Sequence, residues 1–250
     1  MSTESNGKVA GKTFLVAGGT RGIGWALTRQ LIADGGTVHV ISRTLPANEE
    51  LEMQSTGRFI HQECDFTDCD VEQIKIPETL HGVAYCPGSI NLRSLRSLKA
   101  DDFRQDFEIN VVGAIRLLKA CFPILKKSGQ ESATGVVLFS SIAAGTGLPM
   151  HASIAASKGA IEGLTRTLAA EWAPQVRVNC LAPALTETSL TSRFFANEEK
   201  RATLNASYPL GRTGLPEDVA SMAGFLMGPH SPWITGQVIG VDGGMSETRL

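Results

Sequence analysis

Short apolar runs alternate with helical stretches along nearly the whole chain, and this alternation constrains the fold more than any other feature of the sequence. Thr13–Ala17 (TFLVA) is followed by glycines and then by helical spacing over Trp25–Ala33. Val38–Ser42, Arg58–Cys64 and Val83–Cys86 read as the next strands, each closed by a polar or glycine turn. Asp101–Lys127 is a long amphipathic stretch, Gly135–Ser141 a strand, Ala155–Trp172 a helix, and Val176–Ala182 and Gln237–Val241 the last strands. These strands are continuously apolar rather than alternating, so both of their faces must be covered. The pattern predicts an α/β fold: one Rossmann-like domain with a doubly wound parallel sheet and helices on both faces. Residues 1–10 are polar and read as a tail ahead of a domain spanning 11–250. Leu185–Gly211, the longest stretch without a core pattern, lies where a substrate lid would sit.

Composition removes several classes of function. Hydrophobic residues make up 42% of the chain, enough for a sizeable core and too many for a disordered chain. A net charge of -2 supplies no basic field, so nucleic acid is not expected as a partner. Cys64, Cys69, Cys86, Cys121 and Cys180 contain no C-x-x-C pair, which predicts free thiols and no metal site. The first dozen residues lack the apolar core of a signal peptide and no run of 18 apolar residues occurs. A cytoplasmic protein without a membrane partner is expected.

Gly18-Gly19-Thr20-Arg21-Gly22-Ile23-Gly24 joins the first strand to the first helix, where backbone N–H groups and a helix N-terminus can cradle a pyrophosphate. A site for NAD usually carries Asp or Glu at the end of the second strand, to accept from the ribose 2'-hydroxyl. Here that place holds Ser42 and Arg43. The Arg43 guanidinium can grip a 2'-phosphate, with Arg21 approaching from the other side, so NADP(H) is the expected cofactor.

The glycine loop is followed in order by Asp65-Phe66, by Asn110 within EINVVG, by Ser140-Ser141, Lys158, APALTET and finally ITGQVIGVDGG. Together these motifs resemble the short-chain dehydrogenase/reductase family, near its bacterial 3-oxoacyl-carrier-protein reductase type, over roughly Gly11 to Met245. The resemblance implies that Asp65 and Phe66 hold the adenine, Gly88 lies along the adenosine ribose, and Pro183, Thr186 and Thr188 face the nicotinamide carboxamide. It implies further that Lys158 binds the nicotinamide ribose, Ser141 orients a substrate carbonyl and Asn110 supports a proton-relay water. A homotetramer or homodimer is also implied, built on the long helices around Asn110 and Lys158.

The family's tyrosine acid is missing. Four residues before Lys158 stands Ile154, and neither Tyr85 nor Tyr208 is followed four places later by lysine. The family's Asn-Asn-Ala-Gly is replaced by Tyr85-Cys86-Pro87-Gly88, and Ala17 and Ala184 depart from its Thr and Gly. A positioned acid contributes a factor of about 10² to 10⁴ to carbonyl reduction, and isoleucine supplies none. His151, one turn earlier, can act as an acid near neutral pH; Tyr208, at the end of the lid, is a weaker candidate. An iminium substrate needs little such help, whereas a conjugated enone needs its enolate stabilised, in part by Ser141. Three readings stay open: a reductase of a small carbonyl, enone or imine; a non-redox enzyme; and a protein that binds NADP(H) without turnover.

Overall fold

Each strand carries apolar side chains on both faces, so each needs two covering layers. The computed structural model, which describes residues 8–45, 56–68 and 74–248, supplies them around one sheet. Its strands are β1 (Thr13–Ala17), β2 (Thr37–Ser42), β3 (Phe59–Glu63), β4 (Gly82–Tyr85), β5 (Thr134–Phe139), β6 (Val176–Pro183) and β7 (Val238–Val241). They form a seven-stranded sheet in the order β3-β2-β1-β4-β5-β6-β7, and every pairing is parallel. Ala17 stands opposite Ile41 on one side and Tyr85 on the other. The order reverses between β1 and β4, and the carboxyl ends of those strands open the crevice in which such sheets bind ligands.

The helices are α1 (Gly22–Ala33), α2 (Ala100–Phe107), α3 (Gly113–Ser128), α4 (Ile142–Gly145), α5 (Ala152–Trp172), α6 (Glu198–Ala206) and α7 (Pro216–Met227). Leu15 and Ala17 face a core layer with Leu117 and Leu125 of α3 and Ile161 of α5. Phe14 and Val16 face the other layer, with Leu27 and Leu31 of α1 and Val219 and Leu226 of α7. Burying each of these large side chains contributes about 1.5–3 kcal/mol. This is the single doubly wound domain that the strand pattern predicts.

Several expectations change in detail. The stretch Asp101–Lys127 is two helices joined by a π-helical turn at Glu108–Val112, a feature frequent at functional sites. The lid region carries a 3-10 turn, Ser192–Phe195, and helix α6. Helix α7, with Pro216 in its first turn, was not expected at all. Val9 is buried and its N–H donates to the Asp34 carbonyl, so packing begins inside the stretch read as a tail. Cys86, Cys121 and Cys180 are free thiols, whereas Cys64 is disulfide-bonded, which corrects the expectation there; Cys69 lies outside the described residues. Among the described residues, no helix is long and apolar enough to cross a membrane.

Candidate active site

The glycine loop leaves the end of β1 and turns at once into α1. A Cβ on Gly24 would stand 2.3 Å from the Gly18 carbonyl oxygen, so the turn closes only with glycine at that position. Gly22 adopts a left-handed φ of 52°, and a Cβ there would come within 3.0 Å of the Thr188 side chain. The loop and the segment after β6 therefore meet over the α1 N-terminus, where N–H groups and the helix dipole favour an anion. Thr20 is a buried residue of the loop, and Ile23 packs partly against the α1 and α7 layer. Pro183 closes β6 opposite Val241. Thr186 is buried, its hydroxyl donating to the Ala184 carbonyl at 3.1 Å, and the Thr188 N–H donates to the Thr191 hydroxyl at 2.9 Å. A cleft of about 700 Å³ opens beside the loop, lined by Arg21, Gly22, Trp25, Thr188 and Phe195 among others. Ser141 and Lys158 do not line it.

At the end of β2, Ser42 is buried, its hydroxyl donating to the Thr44 carbonyl at 3.0 Å and lying 2.9 Å from His61 Nε2. Arg43 is exposed, with Nη1 4.0 Å from the Asp65 carboxylate. Arg21 Nη2 donates to the Thr44 hydroxyl at 3.2 Å, so two guanidinium groups flank this strand end. The Thr67 N–H and hydroxyl, at 3.0 and 2.8 Å, hold the Asp65 carboxyl below its usual range. Phe66 is buried and edge-on to Tyr85, with ring centres 5.3 Å apart, and its carbonyl accepts from Arg116 Nη1 at 3.2 Å.

Beyond the crevice, β4, the π-helical turn and α5 bring Gly88, Asn110 and Lys158 together. A Cβ on Gly88 would lie 3.3 Å from Asn110 Oδ1 and 3.5 Å from Lys158 Nζ. Lys158 is buried and its Nζ donates to the Phe139 carbonyl at 2.8 Å. Burial pushes the ammonium down from 10.5 to about 8, although Cys180, Cys86 and Asp106 pull the other way. The same burial pushes the Cys86 thiol up to about 12, so it faces Lys158 as a neutral group. Asn110 Oδ1 is buried with no hydrogen-bond partner among the described residues. An orphaned acceptor beside a buried ammonium and a glycine cradle suits a bound polar ligand such as a dinucleotide ribose.

Ser141 caps α4, its oxygen accepting from the Ala143 N–H at 3.2 Å. Ser140 ties it to α5 by donating to the Glu162 carboxylate at 2.8 Å. Ile154 is 4% exposed, one helical turn before Lys158. His151 precedes α5, with Nδ1 2.7 Å from the Pro149 carbonyl, and follows Met150, whose φ of 66° is left-handed. Tyr208 is buried, and its hydroxyl oxygen accepts from the Leu185 N–H at 3.2 Å. Burial raises that hydroxyl's pKa, so it holds its proton more firmly.

Over residues 17–246 the chain matches the family described as "Enoyl-(Acyl carrier protein) reductase". A tropinone reductase homolog of Arabidopsis thaliana is 35% identical over 263 residues, covering 98% of this chain and 96% of the relative. This chain belongs to the short-chain dehydrogenase/reductase family. The 2,5-dichloro-2,5-cyclohexadiene-1,4-diol dehydrogenase of Sphingobium indicum is 30% identical over 95% of this chain and 98% of its own. A solved "short chain dehydrogenase/reductase family protein" has a TM-score of 0.85 and 29% identity, covering 96% of this chain and all of that one. This short-chain dehydrogenase/reductase is thus an oxidoreductase by family.

Two features of this family member were not read from the sequence as parts of the site. Asp106 is buried and takes hydroxyl hydrogens from Ser89 and Ser153, each at 2.5 Å. The available signal was an acidic residue one helical turn before Asn110 within an otherwise amphipathic stretch. Tyr85 is the last residue of β4. Its hydroxyl donates to the Ile109 carbonyl at 2.6 Å, satisfying an acceptor inside the π-helical turn that carries Asn110. Burial pushes its pKa well above the usual phenol value. Tyr85→Phe would strand that buried carbonyl, and urea unfolding should show a loss of about 1–3 kcal/mol. A stability equal to wild type would mean that the turn does not depend on this bond.

Proposed function

We propose that this chain is an NADP(H)-dependent oxidoreductase that reduces a small carbonyl, enone or imine, with Ile154 at the position of the family's tyrosine acid. The observation that carries the reading is the meeting of Gly88, Asn110 and buried Lys158, with an unpaired acceptor between strand end and helix. NADPH, when bound, supplies the hydride. The loop Gly18–Gly24 and the α1 N-terminus bind the pyrophosphate, and Asp65 the adenine end. Lys158 donates to the nicotinamide ribose, while Pro183, Thr186 and Thr188 face the carboxamide. Ser141 orients the substrate: its oxygen accepts from the Ala143 N–H, and its O–H donates to the incoming carbonyl or imine. Assembly as a homotetramer or homodimer in the cytoplasm belongs to the same reading.

Under this proposal either His151 supplies the proton or the substrate requires none. His151 holds the Pro149 carbonyl with Nδ1, leaving Nε2 to face a substrate. An iminium substrate needs no acid, because hydride addition leaves no oxyanion. An NADPH-oxidation screen across ketones, enones and cyclic imines, run on wild type and His151→Phe, separates them. Loss of ketone reduction at unchanged NADPH affinity assigns the acid to His151; a retained rate on imines assigns none. Ile154, apolar and buried beside Lys158, equally suits a protein that holds NADP(H) without turnover, and then no substrate in the screen oxidises NADPH.

Cofactor choice rests on Arg21 and Arg43, which flank the end of β2 where a carboxylate would mark NAD. NADPH should bind at least tenfold more tightly than NADH, about 1.4 kcal/mol. Arg43→Ala should erase most of that difference and leave NADH affinity unchanged. Equal titration constants for the two cofactors in the wild type would refute the assignment.

A further inference from the structure

Asp106 is 3% exposed and forms no ion pair among the described residues. A carboxyl group placed so deep with no cation in contact needs hydrogen-bond donors to hold it. Its two oxygens bind two different elements. Oδ1 accepts from Ser89, in the loop after β4, and Oδ2 accepts from Ser153, in the first turn of α5 next to Ile154. Ser89 in turn accepts from Asn110 Nδ2 at 3.0 Å, and the same Nδ2 donates to the Asp106 carbonyl at 2.7 Å. Both amide hydrogens of Asn110 are therefore engaged. A flipped amide would set Oδ1 against the Asp106 carbonyl, so the unpaired oxygen is held on the side of Gly88 and Lys158.

We propose that Asp106 is a positioning residue of the cofactor site, orienting Asn110 through Ser89 and tying it to the first turn of α5 through Ser153. This rests on the reading that Asn110 and Lys158 serve a nicotinamide ribose. The same residue has a counter-charge role toward Lys158, on which the Phe139 carbonyl, the Cys180 and Cys86 thiols and Asp106 act from the packed elements. With both thiols pushed up to about 12, Asp106 is the one carboxyl group among them.

The test uses two variants of the full chain and two readouts. Lysine-selective NMR titration of the cofactor-free protein follows Lys158, and its midpoint should fall from about pH 8 in the wild type by about one pH unit in Asp106→Asn. Ser89→Ala keeps the carboxyl group and breaks the link to Asn110. It should leave the midpoint in place and weaken NADPH binding several-fold at pH 7, read by fluorescence titration. An unmoved midpoint in Asp106→Asn overturns the counter-charge role, whatever NADPH does. Unchanged NADPH affinity in Ser89→Ala overturns the orienting role. If Asp106→Asn fails to fold, Asp106→Glu should keep the wild-type midpoint, and a fall of about one unit there overturns the counter-charge role too. Failure of the wild type to bind NADPH at any pH sinks the cofactor reading and takes the orienting role with it, while the titration still judges the counter-charge.

Discussion

Lys158→Met should be at least as stable as wild type at pH 7, less stable at pH 10.5, and roughly 100-fold weaker in binding NADPH. The folded chain holds the Lys158 ammonium with its midpoint lowered from 10.5 to about 8 by burial. Below pH 8 both folded and unfolded chains carry the proton, and the folded state bears the whole desolvation penalty. Between pH 8 and 10.5 the folded chain releases a proton that the unfolded chain retains, so wild-type stability rises through this window. The gap is worth about 3 kcal/mol. Methionine removes that penalty while stranding the Phe139 carbonyl that Nζ satisfies at 2.8 Å, a loss of about 1–3 kcal/mol. The two stability curves, measured by urea unfolding, should therefore converge and cross as pH rises. Parallel curves would show that the amine is not desolvated as its burial indicates. In the fluorescence titration, loss of an ammonium donor to the ribose should weaken NADPH binding by about 3 kcal/mol, or roughly 100-fold.

The parts of this architecture legible in the sequence are those whose cause is local. Thr13–Ala17 is apolar on successive residues because helices cover both faces of β1, and its bounds were read to the residue. The glycine loop was legible because the turn tolerates no Cβ at Gly24. Between Ala100 and Ser128 the apolar stripe runs on through the π-helical turn, so periodicity shows one stretch where the backbone makes two helices. Helix α6 escaped because its side chains are mostly polar and none is buried. Asp106 escaped for a different reason. Its partners, Ser89 and Ser153, lie 17 and 47 residues away, and no local pattern announces a contact made across the crevice. Tyr85 was visible as a departure from the family, and only the fold reveals the carbonyl its hydroxyl satisfies.

Ile154→Tyr should raise NADPH-dependent ketone reduction by about 10² to 10⁴, the contribution of a positioned acid to such a step. The substitution places a hydroxyl one helical turn before Lys158, on the face that already carries its Nζ. Ser141, whose oxygen is occupied by Ala143, stands ready to donate to the same substrate oxygen. Lys158 would lower the new phenol's pKa by its charge, as an ammonium does for any acid beside it. The larger ring must enter a site where isoleucine is 4% exposed, and overpacking costs about 1–3 kcal/mol. A modestly lowered unfolding midpoint is therefore expected alongside the gain. Imine reduction should change little, because its transition state develops no oxyanion for the phenol to protonate. The measurement is NADPH oxidation on matched ketone and cyclic-imine substrates, with cofactor affinity determined in parallel. A tyrosine variant that binds NADPH normally and reduces no ketone faster than wild type would show that Ser141, Asn110 and Lys158 do not form a hydride-transfer site.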